Sequence, residues 1–337
     1  MSANENFYPY ILAPKLAPAI WGGESWQCWD ANAVTNGPLA GKTVADLRAL
    51  LGADLLGDLD ASQIFPILTK FIDARDALSV QVHPDDAYAQ EHEGQRNGKT
   101  ECWYVLRADD AAELVLGWTR DTDRAEYERR VADGSLGDIL RRVPVKAGET
   151  FYLPAGTLHA IGKGIEIFET QQASDLTYRI FDWNRTGPDG KPRELHVRKA
   201  GDVLDYERGT RGPVATLDYV LDDLRRTALI GDRRFVVERI VATAESASLP
   251  TADRPLAIAA LDRPLAIACD GGSVTLPPST TALVPAAAKW ASVASASEGD
   301  AAFLLVTPPK TPQTLPARLL AAGVPQDRVD AFMEQFA

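Results

Sequence analysis

The chain has 337 residues, 45% of them hydrophobic and 24% charged, which gives enough apolar surface for globular domains and argues against disorder. Its formal net charge is −12, with no basic stripe to offset it, and this argues against nucleic acid as a partner. The first 26 residues lack the basic start and apolar stretch of an export signal, and no run of about eighteen uncharged apolar residues marks a membrane span, so a cytoplasmic protein with no membrane association is expected.

The length predicts two domains rather than one. Thr43 opens a helical pattern, with Asp46 three residues on, Leu47, Leu50 and Leu51 on one face, and Gly52 as the stop. Over 65–82 the period changes to two, most clearly in Leu78, Val80 and Val82, which predicts a strand. A further strand is expected over 101–106. A helical interlude follows, starting near Asp123 and Glu126, stopping near Gly134, and lying within a helical segment near 119–142. Short segments at 150–153, 165–169 and 177–183, rich in Ile, Phe and Tyr and separated by Pro, Gly, Ser and Asp, read as strands. Beyond 212 titratable residues thin out, and strands are expected over 235–241, 256–259, 274–276 and 303–306. Val329, Phe332, Met333 and Phe336 match one face of a terminal helix. Residues 253–259 recur closely as 262–268, which is a local duplication rather than a solenoid. The pattern predicts a mainly β protein, with one domain over 1–212 and a smaller β domain over 213–337 that ends in a helical tail.

Cys28, Cys102 and Cys269 are widely spaced with no CxxC, which suits reduced thiols rather than a disulfide framework or thiolate zinc site. The strand around residue 80 is chemically unusual. If Leu78, Val80 and Val82 share one face, Ser79, Gln81 and His83 share the other, and half-exposed strands usually favour Thr, Lys and Glu there. Taken alone, a solvated strand face explains it better than a site. Two residues on one strand face can ligate one metal, and other strands must complete the set. Glu101 opens such a strand, and His159 follows the Pro154-Ala155-Gly156 turn. Two imidazoles, a carboxylate and an amide oxygen suit Zn²⁺ with room for water or substrate.

These residues fall in blocks that resemble the type I phosphomannose isomerases, notably their shorter bacterial form. The matching blocks are Trp21-Gly22-Gly23, the run from Leu78 to Asp86 with its Gln81-Val82-His83, Gly98-Lys99-Thr100-Glu101, the run from Leu153 to Gly162 with His159, and Ser174-Asp175-Leu176-Thr177-Tyr178-Arg179. A weaker match continues through Arg193-Glu194-Leu195-His196. Together they span most of residues 20–200.

The resemblance implies two cupin-like jelly-roll barrels with a small helical insertion, and one Zn²⁺ per chain held by Gln81, His83, Glu101 and His159. It implies substrate phosphate contacts at Lys70, Ser79 and Lys99, with Arg179, Asp175 and Glu169 as catalytic groups. The implied reaction interconverts mannose 6-phosphate and fructose 6-phosphate, a small-molecule sugar phosphate pair, through an enediol. The base is open between Asp175, Glu169, a metal-bound water and a histidine. Without the resemblance, Lys70 reads as a charge guarding an edge strand and the Asp175/Arg179 pair as a surface ion pair. Two rival readings are another metal cupin, such as an iron oxygenase, and a sugar-phosphate binding protein without turnover. His92 lies in a very polar stretch and reads as solvated, His196 as structural, and Trp21, Trp103 and Trp183 as core.

Overall fold

The computed structural model describes residues 6–60, 63–186 and 190–336. By compactness the chain forms two units, one of Leu16–Ser25 and Lys70–Pro213, the other of Met1–Lys15, Trp26–Thr69 and Val214–Ala337. Against the expected division into 1–212 and 213–337, two early segments group with the C-terminal part of the chain. The reason is long-range pairing, since Tyr10–Leu12 lies antiparallel to Thr281–Val284, a partnership that local periodicity cannot reveal.

The first unit rests on two sheets. One has the order Lys15–Ala19, Gly22–Cys28, Ile67–Ala74, Ile165–Gln172, Glu101–Ala108, Thr150–Leu153; the other runs Tyr178–Phe181, Val80–Val82, His159–Ile161, Glu113–Trp118, Leu140–Pro144. Because side chains alternate along a strand, one face of each sheet turns toward the other. Trp103, Val105, Ile165 and Ile167 from the first sheet and Leu114, Leu116 and Ile161 from the second form one buried apolar cluster. This is the jelly-roll arrangement of a cupin barrel. The opposite face of the five-stranded sheet, with Val80, Val82, Val115 and Ala160, packs on Tyr127, Leu136 and Ala200, which belong to the helices Arg124–Asp133, Leu136–Ile139 and Val197–Val203.

The expected strand over 65–82 is in fact two strands, Ile67–Ala74 and Val80–Val82, that enter different sheets. The chain turns at Asp76, whose carboxylate accepts the Ala77 N–H and whose N–H donates to the Trp21 carbonyl. Leu78 consequently packs between the sheets, whereas Val80 and Val82 lie under the helices. Gln81, alternating with those two valines, is thereby turned to the barrel interior.

Local signals set the helix ends. The Asp123 carboxylate accepts the Glu126 N–H at 2.8 Å and Gly134, with φ 77°, ends the helix Arg124–Asp133. The expected helical segment near 119–142 stops at Ile139, because Leu140–Pro144 pairs with Glu113–Trp118. Thr43 and Asp46 form a capping box for Val44–Leu51, although Val44 and Leu47 bury its apolar face and Leu50 is exposed.

In the second unit a seven-stranded and a four-stranded antiparallel sheet enclose a cluster that includes Leu256, Ile258, Leu265, Ile267 and Phe303. The two copies of the repeated segment supply the strands Leu256–Ala260 and Leu265–Cys269, one in each sheet. Val329 and Phe332 of the helix Gln326–Met333 join Leu315 and Leu319 of Thr314–Ala321 against Leu217, Tyr219 and Val236. All three cysteines are buried thiols. Among the described residues no helix is long and apolar enough to cross a membrane.

Gly22, at φ 140°, sits where a Cβ would lie 1.9 Å from the Asp73 carbonyl oxygen, a backbone contact with no side chain to move aside. Gly22→Ala is therefore expected to lower stability by about 3 kcal/mol. Gly137→Ala, with nothing within 4 Å of the added Cβ, serves as control. Equal urea midpoints for the two variants would contradict the close approach.

Candidate functional site

The site grows from one register. In the five-stranded sheet Gln81 lies opposite Arg179 on one side and His159 on the other, and His159 lies opposite Leu116. Cross-strand neighbours share a face, so one row of the barrel wall carries Arg179, Gln81 and His159. His83 follows just after the strand, and its carbonyl accepts the N–H of Gly156 at 2.9 Å. That bond ties the first histidine to the turn that delivers the second. Gly156 can take the required φ of 87°.

The facing sheet contributes Glu101 and Trp103, which lie opposite Gln171 and Glu169. His83, Glu101 and His159 are all buried, and each offers a ligand atom within 4.8 Å of the others. Glu101 Oε1 is 3.3 Å from His159 Nε2, and Oε2 is 3.5 Å from His83 Nε2. The rings stand 4.8 Å apart. Each Nδ1 is 2.8 Å from a backbone carbonyl, Leu176 for His83 and Thr157 for His159. Those carbonyls require Nδ1–H, which leaves the Nε2 lone pairs aimed at the carboxylate.

Burial pushes both imidazoles toward the neutral form, His159 to about 4 and His83 well below its ordinary value, with the Lys99 ammonium also disfavouring charge on each. Burial and then the charge of Glu169 push the Glu101 carboxyl up. Glu101 Oε2 makes no hydrogen bond of normal geometry, although Lys99 Nζ lies 2.8 Å from it and 3.1 Å from His83 Nε2. Two nitrogen lone pairs and a carboxylate turned toward one another in a buried site repel, and the Lys99 ammonium beside Glu101 and His83 offsets this only in part. A divalent cation at their focus removes the repulsion, so the donor set fits a metal of the zinc class.

Lys70, Glu169 and Trp103 form a second buried layer. Lys70 Nζ is 3.0 Å from Glu169 and 3.3 Å from Glu24, and Trp103 Nε1 donates to Glu169 Oε2 at 3.0 Å. Burial alone would raise the Glu169 carboxyl, but the Lys70 and Lys99 charges together with these hydrogen bonds hold it below the usual carboxylate range. The Trp103 ring also meets His159 edge to face, 5.4 Å away. Lys70 lies between the Glu169 and Glu24 carboxylates. Ser79 groups with Arg179, its hydroxyl oxygen accepting from Nε at 3.3 Å, while Arg179 NH1 donates to the Glu194 carbonyl at 3.0 Å. Asp175 is exposed, and among the described residues its carboxylate makes no hydrogen bond to this cluster. His92 is exposed as well.

Glu24 was not singled out by sequence reasoning, and Trp103 was read as core, which its burial bears out, without its bond to Glu169. Glu24 had a signal in its place next to the Trp21-Gly22-Gly23 block; Trp103 had one in its alternation with Glu101.

Residues 9–115 match the family described as phosphomannose isomerase type I, catalytic domain. A mannose-6-phosphate isomerase of Streptococcus mutans is 40% identical over 250 residues, which cover 68% of this chain and 77% of that one. The crystal structure of the mannose 6-phosphate isomerase from Bacillus subtilis superposes with a TM-score of 0.80 at 28% identity, covering 88% of this chain and 99% of its own. A zinc-bound mannose 6-phosphate isomerase, at 14% identity with a TM-score of 0.69 and 89% and 99% coverage, shares the fold.

The Lys70–Glu169 pair predicts opposite pH slopes of stability. In the native chain the depressed Glu169 carboxyl stabilises the fold above its ordinary value of roughly 4.3, and this contribution is lost as pH falls below it. In Lys70→Met the buried carboxyl lacks its cation and is raised, so stability is greatest below roughly 4.3 and is lost as pH rises. At neutral pH the loss should be about 3–5 kcal/mol. Urea midpoints measured across that range would contradict the pair if the two profiles ran parallel.

Proposed function

The chain belongs to the type I phosphomannose isomerases, and from that premise we propose how its own residues carry out the interconversion of mannose 6-phosphate and fructose 6-phosphate. It is a metal-dependent aldose-ketose isomerase. The observation that carries the reading within this chain is the buried set of donors, with both Nε2 atoms turned to Glu101. Gln81, His83, Glu101 and His159 would hold one Zn²⁺. When bound, the ion supplies Lewis acidity beside the substrate oxygens.

The reaction moves a proton between C2 and C1, and negative charge develops on an oxygen as the enediol forms. That charge needs a positive group already aimed at it. Arg179 is suited to this, because its guanidinium is half-buried and fixed by Ser79 and the Glu194 carbonyl. Burial and the nearby Arg193 disfavour its charge, so an anion brought against it is attracted strongly. Ser79 and Lys99 would contact the substrate phosphate, with Lys70 as a further positive charge behind them. Glu169, held as a carboxylate by Lys70 and Trp103, orients Lys70 rather than trading protons. Asp175, exposed ahead of the Arg179 strand, and a histidine are the candidates on this chain for that exchange.

The test is a coupled assay of mannose 6-phosphate turnover before chelation, after it, and after adding Zn²⁺. Turnover should disappear and return. Tight binding without turnover would favour a sugar-phosphate binding protein, and bound iron with oxygen uptake a different cupin enzyme. Arg179→Ala should lower kcat by about 10²- to 10³-fold at unchanged zinc content. A raised KM with kcat intact would make Arg179 a phosphate contact instead.

A further inference from the structure

The block Arg193-Glu194-Leu195-His196 has no part in the metal centre, yet it grips the residue that the reaction depends on. We propose that His196 is a positioning residue, whose ring and backbone fix the strand that carries Arg179 and so aim its guanidinium.

Tyr178–Phe181 is the edge strand of the five-stranded sheet. At such an edge, outward N–H and C=O groups need partners. His196 takes both at Arg179. Its own N–H donates to the Arg179 carbonyl at 2.8 Å, and its Nδ1 accepts the Arg179 N–H at 3.1 Å. A ring nitrogen thus stands where the carbonyl of another strand would be, and the bonded tautomer carries its proton on Nε2. From the same segment the Glu194 carbonyl accepts Arg179 NH1, so backbone and guanidinium are braced by one short strap.

The strap is anchored at both ends. Arg193 makes a bidentate pair with buried Asp182, at 2.7 and 2.6 Å. His196 leads into the helix Val197–Val203, its carbonyl accepting the Ala200 N–H at 2.9 Å. Ala200 is fully buried in the cluster under Val80, Val82 and Ile180. The helix that covers the outside of the barrel wall therefore determines where a side chain inside it points.

This inference rests on the reading of Arg179 as the group that faces the developing charge, and the experiment separates the two. His196→Asn places an acceptor oxygen where Nδ1 stands, whereas His196→Gln moves it one bond further out. Both keep a polar side chain of similar bulk, and His196→Ala removes the acceptor. Each is made alone and in the Arg179→Ala background, with kcat, KM, zinc content and thermal midpoint measured. His196→Gln and His196→Ala should lower kcat by about 10- to 100-fold with little change in KM or zinc, and His196→Asn should restore most of the loss. In Arg179→Ala none of the three should lower kcat further. If His196→Ala does not fold, the Asn and Gln pair carries the comparison. Full kcat in His196→Gln, equal loss in Asn and Gln, or losses that multiply in the Arg179→Ala background would overturn the proposal. An Arg179→Ala enzyme with unchanged kcat would remove the reading beneath it.

Discussion

Two imidazole lone pairs and a carboxylate are turned toward one another in the buried interior of the barrel. Nothing in local propensity favours this. The carbonyls of Leu176 and Thr157 hold the rings in the one tautomer that aims Nε2 inward, and the register of two facing sheets puts Glu101 across from them. Burial then keeps the imidazoles neutral, which is the form a metal ligand must have. The strands, the Gly156 turn and the loop through Lys99 hold these donor atoms at close range, with the Lys99 ammonium against Glu101 and His83.

Around that focus the charges are arranged in layers. Buried Lys70, Glu169 and Trp103, with half-buried Glu24, form a network in which each polar group has a partner from another strand, and such networks fix geometry while costing heavily when one member is removed. Arg179 belongs to the same wall as Gln81 and His159 but is braced from the sheet edge. Positive charge is thus supplied at two depths, one locked between carboxylates and one held by hydroxyl and carbonyl oxygens and half open to solvent. The second is the better partner for a charge that appears only during the reaction.

Much of this was legible in the residues. Thr43 with Asp46, and Asp123 with Gly134, announce helix ends because capping is local chemistry. The Gln81-Val82-His83 run was unusual for a wet strand face, but by itself a solvated face explained it better, and the family resemblance carried its reading as ligands. What stayed hidden depends on partners far along the chain. Leu78 and Val80 look like one face, yet the break at Asp76 sends them to different clusters. Glu113–Trp118 shows no clean alternation because Gly117, at φ 74°, interrupts its register with Leu140–Pro144. Lys70 reads as an edge charge until Glu169 and Glu24 arrive from other strands. His196 reads as structural because its role depends on the edge of a sheet that sequence alone does not locate.

The central claim is that His83 and His159 bind the metal through Nε2 with oxygen donors completing the set. X-ray absorption on the zinc-loaded protein measures this directly. The account predicts two imidazole nitrogens at about 2.0–2.1 Å, the remaining donors being oxygen, with the imidazole scattering halved in His159→Ala. Sulfur scattering near about 2.3 Å, or a spectrum unchanged by that substitution, would contradict it.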